Sequence, residues 1–165
     1  MTLQRLVIFG APGSGKTTLA IRLCKSLGHC HVERDSLGSL GSKAYVEAAH
    51  EAVQASRWIF DGPPYFVDAE VYGRADTVII LDFPRTLVTW RVLYRSLRPA
   101  VGGRGKRPEA SLIRDHPLWV VLTQFRARRI EGAGLEARSD VRGKDLLRFS
   151  DPTDLERWVL THEQP

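Results

Sequence analysis

The run Gly10-Ala11-Pro12-Gly13-Ser14-Gly15-Lys16-Thr17-Thr18 follows directly on the apolar segment Leu6-Val7-Ile8-Phe9. Its first eight positions satisfy G-x-x-x-x-G-K-[ST], a pattern whose glycines let successive backbone N–H groups turn inward around phosphate oxygens without a side chain in the way. Lys16 is expected to reach the β and γ phosphates, and Thr17 to offer a hydroxyl to Mg²⁺. The helix that opens here adds the partial positive charge of its N-terminus. Binding of a nucleotide polyphosphate, ATP with Mg²⁺, is therefore expected at Gly10, Ala11, Pro12, Gly13, Ser14, Gly15, Lys16, Thr17 and Thr18.

Three aspartates stand where apolar runs end: Asp35, Asp61 and Asp82. An apolar strand ending in Asp can hold Mg²⁺ opposite the loop hydroxyl, because the cation takes hard oxygen ligands. Asp61 and Asp82 both fit. Asp61 is preferred because Gly62 lets the backbone pass close to a substrate, whereas Asp82 could fix a neighbouring loop. Asp35 is placed to meet the second substrate and to act as general base toward an acceptor hydroxyl.

Arginines supply the counter-charge. Arg91, Arg95 and Arg98 are spaced i, i+4, i+7 and form one stripe on a helix that is otherwise apolar and expected to be largely buried. Guanidinium groups so aligned suit phosphoryl oxygens, so Arg91 and Arg95 are assigned with Lys16, Asp35 and Asp61 to catalysis. Of the 24 basic residues, the seven from Arg85 to Arg107 form a block without any of the 19 acidic ones, which accounts for the net charge of +5. A local block suits a phosphate clamp at least as well as a nucleic-acid face.

The elements that must position these groups follow from periodicity. Apolar runs at Arg5 to Phe9, His29 to Glu33, Arg57 to Phe60, Thr77 to Leu81 and Asp145 to Phe149 alternate with helical stretches at about 15–27, 42–55, 66–73, 85–98 and 116–131. A last helix opens at Asp151-Pro152, where Asp caps and Pro occupies the first turn. Such alternation implies an α/β fold, a parallel sheet covered on both faces. The 165 residues, 43% hydrophobic, suffice for one core, so a single domain over 1–165 is expected, with a Gly- and Pro-rich lid at about 99–115 carrying Arg104, Lys106 and Arg107. The strand begins close to Met1, and no run has the length of a signal or membrane segment, so a cytoplasmic protein without membrane contact is expected. Cys24 and Cys30 lack metal or redox spacing and are expected to be buried free thiols.

The order of these motifs resembles the DNA topology modulation protein family, small P-loop proteins related to adenylate kinase. The likeness rests on Gly10 to Thr17, Trp58-Ile59-Phe60-Asp61-Gly62, the run Arg74 to Arg85 and Trp90-Arg91-Val92-Leu93-Tyr94-Arg95, and covers most of residues 5–98. It implies a three-layer P-loop NTPase fold of nucleoside-kinase type with a five-stranded parallel sheet of order 2-3-1-4-5, and a short arginine-bearing lid. It implies ATP and Mg²⁺ as cosubstrates, a substrate site between the second and third strands, and phosphate contacts by Arg91 and Arg95. The loop Ser150-Asp151-Pro152-Thr153 is implied to lie beside the adenine.

The chain departs from adenylate kinases at Asp61-Gly62-Pro63-Pro64-Tyr65, where those enzymes carry Phe-Pro-Arg after Asp-Gly. The arginine that holds a monophosphate there is absent, and Lys43 is the one Lys or Arg between Gly38 and Ala55. A nucleotide, a nucleoside or another small hydroxyl-bearing acceptor, as in shikimate or gluconate kinases, all fit, and Tyr65 and Phe66 could stack on a planar one. Phosphotransfer by a monomer or homodimer is the first reading. The alternatives are a nucleotide-dependent nucleic-acid-associated protein, for which no recognition motif is visible, and a regulatory ATPase.

Overall fold

The computed structural model describes residues 3–39, 41–62, 69–97, 117–138 and 141–163. The expected lid, together with Tyr65, Phe66 and Arg98, lies outside the described residues.

Five parallel strands form one sheet: β1 (Arg5–Gly10), β2 (Cys30–Glu33), β3 (Trp58–Asp61), β4 (Thr77–Leu81) and β5 (Asp145–Phe149), in the order β2-β3-β1-β4-β5. Six helices connect and cover them: α1 (Lys16–Leu27), α2 (Lys43–Ala52), α3 (Ala69–Arg74), α4 (Arg85–Leu97), α5 (Pro117–Gly134) and α6 (Pro152–His162). Local chemistry sets several boundaries. Ser42 accepts from the Tyr45 N–H to open α2, Asp151 accepts from Thr153 N–H to open α6 with Pro152 behind it, and Gly28 closes α1 in the left-handed conformation.

Alternate residues of the central strands enter two apolar layers. Leu6, Ile8, Ile59 and Ile79 pack with Leu19, Leu23, Val88, Val92 and Val159 of α1, α4 and α6. On the other face Val7, Phe9, Phe60 and Val78 pack with Val71, Tyr72 and Leu135. Both faces being covered, the strands read as continuous apolar runs, as parallel strands do.

The connection from β1 runs toward the β2 edge and the connection from β3 runs toward β4, so the chain reverses direction between the neighbouring strands β1 and β3. At such a switch point the loops beyond the strand ends diverge and leave a crevice. The glycine loop leaves β1 here, and Asp61-Gly62 closes β3 here.

Two expectations are corrected. Helix α4 buries Val88 and Val92, but Trp90 and Tyr94, one turn apart, are exposed, so the helix is covered on one side only. Both cysteines are free, yet Cys30 is exposed, while burial pushes the Cys24 thiol up to about 11 and keeps it protonated.

Candidate functional site

The loop between β1 and α1 turns on Gly13 (φ +83°) and Gly15 (φ +96°), the residue that precedes the helix. At Gly13 the need for glycine is also steric, since a Cβ there would stand 2.4 Å from Val92 Cγ2 and 3.2 Å from the Val88 carbonyl oxygen. The loop is thus seated directly on α4. Gly15 offers no side-chain cap, so the first-turn N–H groups of α1 face the crevice as the positive end of the helix. Ala11 is buried, and its carbonyl accepts from the Ser14 N–H and from Lys16 Nζ, each at 3.1 Å.

A cleft of about 770 Å³ opens over this loop. Gly10, Pro12, Gly13, Ser14, Gly15, Lys16, Thr17 and Thr18 line it together with Asp35, Asp61 and Arg91, so the structure gathers these expected site residues around one space. Arg91 Nη1 donates to the Ser14 carbonyl at 3.1 Å, and its guanidinium carbon lies 5.3 Å from the centre of the Phe83 ring. That places a cation against the glycine loop. Arg95 stands on α4 four residues beyond, and its side chain lies outside the described part.

Asp61 is 3% exposed, and its Oδ1 is buried with no hydrogen-bond partner among the described residues. Its Oδ2 is 3.8 Å from His31 Nε2, an atom itself buried and without a hydrogen-bond partner among the described residues. A buried carboxyl oxygen left without a hydrogen bond is costly, and a site that keeps one is suited to a cation. Asp82 differs: Arg129 Nε contacts its Oδ1 at 3.2 Å and Arg148 Nη1 its Oδ2 at 3.3 Å, so this aspartate ties α5 and β5 to the end of β4. Asp35 follows β2 in a 3₁₀ turn, Arg34–Ser36, and is 73% exposed and paired with Arg34.

Three groups on the cleft were not assigned from the sequence. Arg34 lines it beside Asp35, and its stem covers Gly62. At the β5 side, Leu155 and Glu156 of α6 line it with Arg22 of α1, beside Pro152, a residue already singled out from the sequence. Arg22 binds Glu163 through Nε at 2.5 Å and Nη2 at 2.8 Å, and Glu156 through Nη1 at 2.7 Å. The pairing of Arg22 carries no local sequence signal, because its partners are far along the chain. Arg34 had one, being adjacent to Asp35 at a strand end.

No protein-family model and no curated protein matches the sequence. Solved structures do. A shikimate kinase from Bacteroides thetaiotaomicron is 17% identical with a TM-score of 0.55, over 96% of this chain and 95% of its own. A sugar kinase from Janibacter sp. HTCC2649 is 18% identical, TM-score 0.53, over 98% and 94%. A gluconokinase from Sinorhizobium meliloti 1021 is 14% identical, TM-score 0.53, over 97% and 91%. The chain has the P-loop kinase fold. These likenesses extend over nearly the whole of each partner, and the sheet order is the one expected of that fold. Among the described residues, no helix is long and apolar enough to cross a membrane.

Proposed function

We propose that this protein is an ATP- and Mg²⁺-dependent phosphotransferase acting on a nucleotide, nucleoside or other small hydroxyl-bearing acceptor. The observation that carries the reading is a cleft at the switch point that is lined together by the glycine loop with Lys16, the buried carboxyl of Asp61, and Asp35. The names of the fold neighbours, kinases of shikimate, of a sugar and of gluconate, support a small acceptor.

In this reading the loop N–H groups and Lys16 bind the β and γ phosphates, with Arg91 and Arg95 spreading further positive charge over them. The residues present fit Mg²⁺: Thr17 would contribute a hydroxyl and Asp61 an oxygen with no hydrogen-bond partner among the described residues, hard donors of the kind this cation takes. Bound there, it would neutralise phosphate charge. Asp35 orients the acceptor hydroxyl and takes its proton as the acceptor oxygen bonds to the γ phosphorus, while the bond to the bridging oxygen breaks and ADP leaves with the electron pair. Positioning and charge stabilisation supply the rate. The proposal extends to one domain over 1–165 with a lid at 99–115, to a cytoplasmic monomer or homodimer, and to kinship with the DNA topology modulation proteins through the motifs already given.

The test is ADP release from ATP and Mg²⁺ with nucleosides, nucleoside monophosphates, sugars and hydroxy acids each added in turn. Release that depends on one acceptor class is expected. Release indifferent to every acceptor would make the protein an ATPase, and tight, salt-steep DNA binding unchanged in Lys16→Ala would make it a nucleic-acid protein.

A further inference from the structure

The chain lacks the arginine that adenylate kinases place after Asp-Gly, and Gly62 is where the missing group would begin to matter. Gly62 has φ +121°, and a Cβ on it would lie 2.8 Å from Arg34 Cβ and 3.4 Å from Arg34 Cδ and Nε. The space beside the end of β3 is therefore filled by the stem of a residue from the end of β2. Packed this way, the Arg34 side chain is only 20% exposed, yet it belongs to the wall of the cleft. Its Nε donates to Asp35 Oδ1 at 2.9 Å and its Nη2 donates to the same oxygen. The second carboxylate oxygen, Oδ2, has no partner among the described residues.

A guanidinium carries five donors in a planar fork matched to carboxylate and phosphate oxygens. Held at its stem by Gly62 and at one edge by Asp35, Arg34 loses little further freedom on meeting an anion, which favours binding. It also stands at the β2–β3 side of the cleft, whereas Pro152 and Leu155 mark the opposite, β5 side.

Resting on the phosphotransferase reading, we infer that Arg34 is a specificity-determining residue: it binds an oxyanion, carboxylate or phosphate, carried by the acceptor. Asp35 is left with Oδ2 for the hydroxyl of the same molecule. The acceptor is then a small hydroxylated anion, and uncharged sugars and nucleosides are excluded.

The test is calorimetric titration of the full chain, saturated with ADP and Mg²⁺, using D-glycerate and D-gluconate as carboxylates and ribose 5-phosphate and nucleoside monophosphates as phosphates. Glycerol, glucitol, ribose and the nucleosides serve as their uncharged counterparts. At least one anion is expected to bind about 100-fold more tightly than its counterpart, and Arg34→Gln to abolish that preference while ADP affinity is unchanged. Which anions bind separates carboxylate from phosphate. Arg34→Lys, keeping the charge without the fork, is expected to retain part of the preference and so to show that the loss is not one of folding. Binding of no anion, equal binding of the uncharged counterparts, or an undiminished preference in Arg34→Gln overturns the inference. Anion preference without any ADP formation from ATP would sink the phosphotransferase reading and leave the Arg34 site standing. ADP formation with uncharged acceptors, equal in wild type and Arg34→Gln, would do the reverse.

Discussion

Lys16 and Asp61 are held in opposite ways. The Lys16 ammonium reaches back 3.1 Å to the carbonyl of its own loop, an interaction that phosphate oxygens can replace. Asp61 is sealed at the end of a fully buried strand, with one oxygen left unpartnered. Lys16→Ala and Asp61→Asn should each lower turnover about 100-fold or more. Their stabilities should diverge from their activities: Asp61→Asn keeps the shape of a buried side chain whose Oδ1 makes no hydrogen bond among the described residues, so its melting temperature does not fall. A thermal melt run beside the kinetic assay checks this, and an inactive Asp61→Asn that also melts well below wild type would speak for a structural aspartate. Gly62→Ala makes a second case. The added methyl meets Arg34 Cβ at 2.8 Å in a conformation that L residues rarely adopt, so urea denaturation should register a loss of about 1–3 kcal/mol. Two of the glycines on the cleft show what a residue letter conveys and what it hides. Gly13 belongs to a motif and was legible. Gly62 was read as letting the backbone pass close to a substrate; it lines the cleft, and its missing side chain also leaves room for Arg34, a neighbour 28 positions earlier that the strand pairing of β2 with β3 brings there.

At the scale of elements, α1 is fastened to α6 by Arg22, whose guanidinium serves Glu163 and Glu156 together. Hydrogen bonds from Arg22 hold both carboxyls below their ordinary glutamate range. A carboxylate whose pKa is lower in the folded state adds stability above its unfolded value, near 4.3, and loses it as the pH falls through the folded value. Melting temperature should therefore drop between about pH 5 and about pH 3, and Arg22→Met should flatten that part of the profile while lowering the neutral-pH midpoint. A profile identical in both proteins would remove the clasp from consideration. The clasp also borders the cleft at Pro152 and Leu155, so its loss should weaken ATP binding before it affects an acceptor. Strand positions were readable because parallel strands buried on both faces are continuous apolar runs, and helix starts because Ser42 and Asp151 cap them. The exposure of Trp90 and Tyr94 was not readable: apolar residues fall on two sides of α4, Trp90 and Tyr94 on one and Val88 and Val92 on the other, and periodicity alone cannot choose which meets the sheet.

For the molecule as a whole, five strands ordered β2-β3-β1-β4-β5 put the glycine loop, the buried aspartate and the Arg34–Asp35 pair at the carboxyl ends of three adjacent strands. Those ends converge because the crossovers on either side of β1 and β3 run in opposite directions. Sequence order conveys the strands and the loop. It does not convey the pairing of Asp82 with Arg129 and Arg148, which takes one of two equivalent-looking aspartates out of the cleft by filling both its oxygens. The groups left in the cleft are the ones on which the proposed phosphotransfer rests. The most direct measurement of it follows the γ phosphorus of labelled ATP incubated with Mg²⁺, protein and the acceptor panel. Phosphotransfer puts the label on an acceptor, in amount equal to the ADP formed, and Lys16→Ala abolishes it. Label recovered only as inorganic phosphate, or remaining in ATP with every acceptor, would contradict it.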